Sequence, residues 1–324
     1  MQPITNPHDK LFKDTLSGID NAQAFFSNSI PPAILEKVNL DTIKICKDSF
    51  IDSTLKDFYS DMLYTVQIAG ELGYIYILLE HKSYRDPLIH LQLLEYKPQI
   101  WRLYLKHIKQ QVKSKIVKPN TNTDLPVIIS IALYHGKKPW DMNPRFADQM
   151  FKKEHQQFKA YIPDFEYILY DLSEYTDDEI KGTVLIRITM LLLKHVFDTD
   201  FKQTLPNIFK LLGELSNQKT GLQYIETALR YIMSTRKDVS LQELKTLGEQ
   251  AVLTDKKKEI VMTLAEKLID EGMEQGMEKG REGMQKILAT QFSRKLELES
   301  QLLNNLFHDL SMEQRRSKRC KQLR

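Results

Sequence analysis

Cysteine is nearly absent from this sequence, with two among 324 residues, Cys46 and Cys320. Two thiols so far apart make neither a zinc knuckle nor a disulfide framework. A chain that folds by burying apolar side chains in a reducing compartment is expected, and the cytoplasm is its expected location. Long apolar runs are missing too. No stretch approaches the roughly 18 residues that cross a bilayer, and residues 1–10 lack a charged segment followed by an apolar one, so no export signal is expected. Glycine and proline, 12 of each, are too few for a fibrous or low-complexity chain. Charge of one sign is lacking as well: 46 Lys and Arg face 43 Asp and Glu, for a net charge of +3. The last ten residues, Arg315–Arg324, hold six Lys and Arg and no carboxylate, and taking those six away from +3 leaves −3 for the rest. The body therefore has no global field for a polyanion, and any nucleic-acid surface must be a local patch.

The remaining composition, 42% hydrophobic and 27% charged, suits a globular chain. Phe12, Leu16, Ile19 and Phe26 recur at helical spacing over residues 8–30, with a break at Ser17-Gly18 and an end at Pro31-Pro32. Residues 40–47 alternate apolar and polar, as a half-buried strand does. Residues 62–69 and 74–80 read as two strands joined by a turn at residues 70–73, Gly-Glu-Leu-Gly. The second of these strands is almost wholly apolar, as expected for a strand covered on both faces. Asp86-Pro87 suggests a cap and first position for a long amphipathic helix carrying Leu91, Leu94, Trp101 and Leu105. Pro98 should kink or split it. Residues 126–134 and 165–172 read as further strands. From Thr176 onward the pattern is helical, over 178–197, 206–215, 219–234 and 240–252, then one long charged helix from 255 to about 285 and an amphipathic pair to about 310. The expected fold is α/β, a mixed sheet flanked by helices, followed by an all-helical C-terminal region. The expected division is 1–175, 176–253 and 254–324.

Chemistry concentrates at the hairpin. With a turn centred near 71–72, Asp61 would lie opposite position 81, and Glu80 and Lys82, two apart, would share one strand face. Two carboxylates and a lysine beside an apolar strand are odd in a core and suited to a hard cation. Mg²⁺ takes one or two carboxylates, a backbone carbonyl such as that of His81, and waters. Alone, this pattern also fits a turn-capping Asp61 and a solvated Glu80–Lys82 strand end.

The spacing Asp61, eighteen residues, Glu80-His81-Lys82 within α-β-β-β-α-β resembles the PD-(D/E)XK nuclease core. More narrowly, His8-Asp-Lys-Leu-Phe-Lys13, Ser60-Asp-Met-Leu-Tyr64, Leu78-Leu-Glu-His-Lys-Ser83, Gln92-Leu-Leu-Glu-Tyr96 and Leu133-Tyr-His-Gly136 with Pro139-Trp140 resemble the recombination-promoting nuclease, or putative transposase, family. The likeness covers about residues 6–175, and the later Glu-Gly repeat is also similar to that family's C-terminal part. The resemblance implies a Mg²⁺-dependent (or other divalent-metal) DNA endonuclease linked to recombination or mobile elements. It implies Asp61 and Glu80 as metal-binding carboxylates, Lys82 as the motif lysine and Gln92 as the glutamine of the following helix. Asp9 is the first choice for an acidic residue of the first helix, with Asp14 its competitor. The other reading is a catalytically inactive nuclease fold that binds DNA or acts as a scaffold.

Other features keep plainer readings beside these. His8 is expected to cap or pack, and His135-Gly136 to end a strand with the glycine in a conformation closed to other residues. Trp101, Tyr104 and Trp140 are expected in the core. Gly272, Gly276 and Gly280 would line one helical face, either as a homodimer seam or as repeat slippage that costs helix stability. The basic end is either a phosphate-contacting arm or a frameshift product.

Overall fold

A computed structural model describes residues 6–46, 62–80, 86–114, 124–215, 219–250 and position 263. The expected Asp61, His81 and Lys82, the charged repeat helix (position 263 apart), the amphipathic pair after it and the basic tail lie outside them. The described residues belong to one compact unit, residues 2–265.

The chain opens with α1 (Pro7–Leu16) and α2 (Ile19–Ser29). Pro7 occupies the first helical positions, where its missing N–H costs nothing. The break between the helices is where the sequence placed it. Asn21 Nδ2 donates to the Thr15 carbonyl at 3.0 Å, tying the second helix to the end of the first. A Cβ at Gly18 would lie 2.9 Å from that same Asn21 nitrogen. A short turn, α3 (Pro32–Leu35), leads to β1 (Val38–Ile45).

The sheet has five strands in chain order: β1, β2 (Met62–Ile68), β3 (Glu71–Glu80), β4 (Ile128–Tyr134) and β5 (Ile168–Asp171). The first three are antiparallel neighbours; β3, β4 and β5 run parallel. It is thus the mixed sheet that the alternation predicts. One detail differs. Ile68 pairs with Glu71, so the hairpin turn is Ala69-Gly70 and not residues 70–73. Both turn residues have positive φ, 52° and 85°, as a two-residue type I′ turn requires. Gly73 belongs to the strand, where the Ile68 side chain fills the space a Cβ would need.

α4 (Ile89–Lys113) crosses from β3 to β4. It begins three residues after Asp86, whose carboxylate accepts from the Leu88 N–H at 2.9 Å in a turn ahead of the helix. Pro98 does not split it. The proline lies on the exposed side, where water takes the place of the missing donor. Leu93, Tyr96 and Ile100 of α4 pack on Leu63, Tyr76, Leu78, Ala132 and Tyr134 of the sheet. Trp140 joins this cluster, with Trp101 and Tyr104 at its border, as expected. α5 (Phe146–Met150) follows β4.

The opposite face of the sheet is covered by α1, α2 and α6 (Val184–His195), with Phe25 against Tyr170 and Phe26 against Tyr64. α7 (Phe201–Glu214), α8 (Lys219–Thr235) and α9 (Leu241–Gln250) complete the described chain. α6 starts six residues later than its pattern suggests. Gly182, at φ 126°, turns the chain, and the Thr183 side chain then caps the helix by accepting from the Ile186 N–H. α7 starts five residues earlier and runs through Pro206. α1, α6 and α8 meet at a buried hydroxyl cluster. Thr15 Oγ1 lies 2.8 Å from Thr189 Oγ1, which is in turn hydrogen-bonded to Tyr224 Oη. A satisfied polar knot in an apolar interface fixes the register of three helices.

Candidate active site

Because β3, β4 and β5 are parallel, their carboxyl ends share one edge of the sheet. Glu80 pairs with Tyr134, and Tyr134 with Asp171, so the last residues of the three strands stand side by side. In open α/β sheets ligands gather outside this edge, where loops leave the strands.

Glu80, expected from its motif, is the final residue of β3. Asp61, His81 and Lys82 lie outside the described residues. The hairpin register ends at Met62, which pairs with Ile77, three positions before Glu80. The turn at 69–70 lies two residues before the turn from which the pairing of Asp61 with position 81 was expected, and both of those positions are outside the described residues. Gln92 sits in the first turn of α4 and is half-buried. Two residues before it, the fully buried His90 donates from Nε2 to the Asn143 carbonyl at 2.7 Å, in the loop that leaves the carboxyl end of β4. Burial lowers the His90 pKa against the opposing effect of that hydrogen bond, so the ring is a neutral donor. This bond holds the start of α4 at the same edge.

α1 reaches the edge from the other face. His8 packs against His135, the residue after β4, with ring centroids 5.1 Å apart. Its Nδ1 is 2.8 Å from Tyr231 Oη. The packing role expected for His8 is what the ring has. His135 stacks on Phe197 and donates from Nδ1 to the Leu193 carbonyl at 3.1 Å. Asp9, next to His8, is 3% exposed. Asp14 is on another side of α1, at the rim of a cleft of about 260 Å³ shared with Lys10, Glu226 and Arg230. There burial raises its pKa and Lys10 partly opposes the rise. Of the two acidic residues on α1, Asp9 is the one buried in the turn that touches the sheet edge.

Gly136 is explained differently from its sequence reading. Its φ is not positive. A Cβ at this position would instead run into the Tyr134 phenol, which folds back over the glycine. Tyr134 also meets Trp140 edge to face, with centroids 4.9 Å apart.

Asp171 is a member of this edge that sequence reasoning missed. Its carboxylate is 2% exposed and accepts from two backbone donors, Trp140 N at 2.7 Å and Ser173 N at 2.9 Å. It staples the loop after β4 to the end of β5. An Asp two residues before a Ser at a strand end is a turn signal, but its long-range partner Trp140 is invisible in sequence. Beside it a polar cavity of about 160 Å³ is lined by His135, Gly136, Lys137, Ser173, Lys194 and Asp198. Lys194 donates to the Tyr175 carbonyl and to Asp177 Oδ1 at 2.9 Å, and His195 bridges Asp177 and Asp198 at 2.8 and 2.7 Å. Burial works to raise the Asp177 pKa, but its bonds from Lys194 and His195 prevail and lower it.

Among the described residues no group of three or more His, Cys, Asp or Glu is placed to hold a metal. The acidic residues whose backbone stands at this edge, the buried Asp9 and the strand-end Glu80, carry oxygen donors. That chemistry suits a hard cation such as Mg²⁺ and not a thiophilic one. No described helix is long and apolar enough to cross a membrane.

The model of the family described as "Putative transposase, YhgA-like" matches residues 6–223. Among curated proteins the chain is 27% identical over 270 residues to Recombination-promoting nuclease RpnD of Escherichia coli O157:H7, covering 82% of this chain and 94% of the relative. It is 29% identical over 273 residues to Recombination-promoting nuclease RpnA of Escherichia coli strain K12, covering 83% and 85%. It is also 26% identical over 269 residues to the Inactive recombination-promoting nuclease-like protein RpnE of strain K12, covering 83% of each. No solved structure matches.

Proposed function

This chain belongs to the YhgA-like putative transposase family, and from that premise we propose that it is a metal-dependent DNA endonuclease of the PD-(D/E)XK type that acts in recombination or on mobile elements. The observation that carries the reading is Glu80. The acidic residue of the Glu80-His81-Lys82 motif ends the central strand at the edge where α1, α4 and the loop after β4 meet. The names of the relatives as recombination-promoting nucleases support the same activity.

In this reading Asp61 and Glu80 hold the cation, with the His81 carbonyl and Asp9 as further oxygen donors. Bound there, a divalent ion supplies Lewis-acid polarisation of a phosphodiester and acidifies water. Lys82 orients the attacking water and offsets the charge that develops on phosphate. Gln92 positions that water or a phosphate oxygen from the first turn of α4. The buried aromatic floor of Tyr134 and Trp140 keeps bulk water from one side of the edge. Two cuts on opposite strands would need two copies, and the glycine face at 272, 276 and 280, outside the described residues, is the proposed seam of a homodimer.

The test is cleavage of plasmid DNA with Mg²⁺ present or chelated, by the wild type and by Asp61→Asn, Glu80→Gln and Lys82→Ala. Loss of cutting in all three, with DNA still bound, supports the assignment; variants that cut like the wild type with the same metal dependence end it. A second reading, an inactive nuclease fold that only binds DNA, is favoured by the name of RpnE. It predicts no cutting by the wild type at any metal concentration, with binding retained.

A further inference from the structure

From Tyr96 to Lys113, α4 contains no Asp or Glu; its one carboxylate is Glu95, in the first half. Over the same stretch Arg102, Lys106, Lys109 and Lys113 are all exposed. Their spacings of four, three and four residues place them, at 100° per residue, in a band roughly 60° wide along the outer face. The inner face holds Leu93, Tyr96 and Ile100 against the sheet. None of the four makes an ion pair within the described residues.

Such a row is unfavourable for the helix itself. Like charges three and four residues apart repel, at about 0.2–0.5 kcal/mol a pair. A chain whose body is otherwise mildly acidic has carboxylates enough to interleave, yet none is there. We infer that this row is a docking track for the phosphate backbone of duplex DNA, leading to the carboxyl edge of β3; the inference rests on the nuclease reading for the choice of DNA as occupant.

Lengths agree with that occupant. The row covers twelve residues, and the eleven steps between its ends make roughly 16 Å of helix at about 1.5 Å per residue. A duplex presents one phosphate about every 1.7 Å of its axis, so four cations along the row meet phosphates of one strand and its neighbour across a groove. Gln92 lies ten residues before Arg102, about 15 Å along the same axis. A duplex on the track would therefore contact Arg102 four or five base pairs from a phosphate at the Gln92 end. An anionic membrane fits less well. The large apolar side chains exposed on α4, Leu88 at its cap and Leu91 in its first turn, are far from the row, and a surface-lying helix needs apolar anchors beside its cations.

The experiment measures duplex binding in EDTA, by fluorescence anisotropy with a labelled fragment of about 30 base pairs, across roughly 50–200 mM NaCl. It compares the wild type, a variant with Arg102, Lys106, Lys109 and Lys113 all changed to Gln, and a charge-matched control with Lys37, Lys44, Lys210 and Lys237 changed to Gln. All eight residues are exposed, so each protein is expected to fold, and circular dichroism verifies it. The track variant should lose about three to four units of the slope of log affinity against log salt, and at least about a hundredfold in affinity near 0.1 M. The control should bind like the wild type. Under saturating DNA with Mg²⁺ the track variant should keep its kcat and show a raised KM. Equal binding by track variant and wild type overturns the inference. So does an equal loss in the control, or a wild type that binds anionic vesicles through these residues and not duplex DNA. If the track carries binding while the wild type cuts no DNA at any Mg²⁺ concentration, the track stands and the nuclease reading falls.

Discussion

The two ends of the sheet are built from different polar side chains. At the end formed by the hairpin turn and the start of β4, each polar group closes the backbone. Lys97 Nζ donates to the Ile128 carbonyl at 3.2 Å and Trp101 Nε1 to the Pro126 carbonyl at 2.9 Å. The Tyr74 N–H meets the Val127 carbonyl at 2.9 Å. At the carboxyl end, Glu80, Tyr134 and Asp171 occupy neighbouring backbone positions on three strands, and His8 of α1 packs against His135 just beyond β4. The first arrangement saves backbone groups from burial without a partner. The second sets three parallel strand ends side by side, and there the Asp171 carboxylate answers two backbone donors. The difference separates the end that holds the fold from the end proposed to carry the chemistry. Substitutions at the two ends should accordingly separate stability from activity.

The largest effect is expected from Glu80→Gln. If the carboxyl edge is the catalytic end, this nearly isosteric change lowers the cleavage rate by at least about a hundredfold, because a neutral amide cannot replace a charged oxygen ligand. The thermal midpoint should stay put, since the change is nearly isosteric and leaves the backbone of β3 as it is. Single-turnover cleavage and a melting curve on the same sample check it. A fall in stability alongside activity would erase the contrast between the ends.

Asp171→Ala sharpens the comparison from within the same edge. Each oxygen of this carboxylate answers one backbone N–H group. Its removal orphans both donors in a buried site, at a cost of about 2–4 kcal/mol. Urea unfolding should show that loss. DNA cleavage well below the new midpoint should fall only by the fraction unfolded. A catalytic loss at full folding would make Asp171 part of the chemistry and not a staple.

Lys97 tests the fold-holding end through pH. The amine is 8% exposed, and burial lowers its pKa from 10.5 to about 8. It lies 4.7 Å over the Phe165 ring as well. The folded state binds this proton more weakly than the unfolded one, so the unfolded chain holds more protons between about pH 8 and 10.5. Stability should therefore rise with pH across that window, on the order of 3 kcal/mol by its upper end. Lys97→Met removes the rise and leaves neutral-pH stability within about 1 kcal/mol, the lost bond to Ile128 being offset by a charge no longer buried. An unchanged alkaline profile in the variant would show that Lys97 is not its source.

Much of this contrast was legible in the sequence, and the illegible part has physical causes. The apolar run before Glu80 announced a strand covered on both faces, and β3 is one. Asp9 and Gln92 carried helix positions that the fold keeps. What local patterns lacked was long-range pairing. Asp171 looks like any strand-end carboxylate until Trp140, 31 residues away, is seen to donate to it. Lys97 reads as a surface lysine because nothing local shows that Ile128 and Phe165 close over it. Pro98 was expected to kink or split its helix because proline removes a donor, and a helix was expected to start at Pro206, yet both prolines lie inside helices on exposed faces where the loss falls to water. Gly136 was assigned a special backbone angle, whereas the constraint there is the Tyr134 ring.

The smallest expected effect concerns the hairpin turn, which is also where the sequence misled most. Gly70-Glu-Leu-Gly73 offers two glycines as turn formers, and the fold uses neither pair symmetrically. It places Ala69 and Gly70 at the two positive-φ positions and leaves Gly73 in the strand. Alanine at φ 52° pays about 1 kcal/mol for its Cβ in the left-handed region. Asparagine tolerates that region better and makes Asn-Gly, the preferred pair for this turn. Ala69 is exposed enough to accept the larger side chain without repacking. Ala69→Asn should therefore stabilise the chain by about 0.5–1 kcal/mol in chemical denaturation and leave cleavage unchanged, because the turn lies at the end of the sheet away from Glu80. A destabilised variant would mean that the register Ile68 to Glu71 is not the one the chain adopts, and the distance along β3 from Met62's partner to Glu80 would have to be counted again.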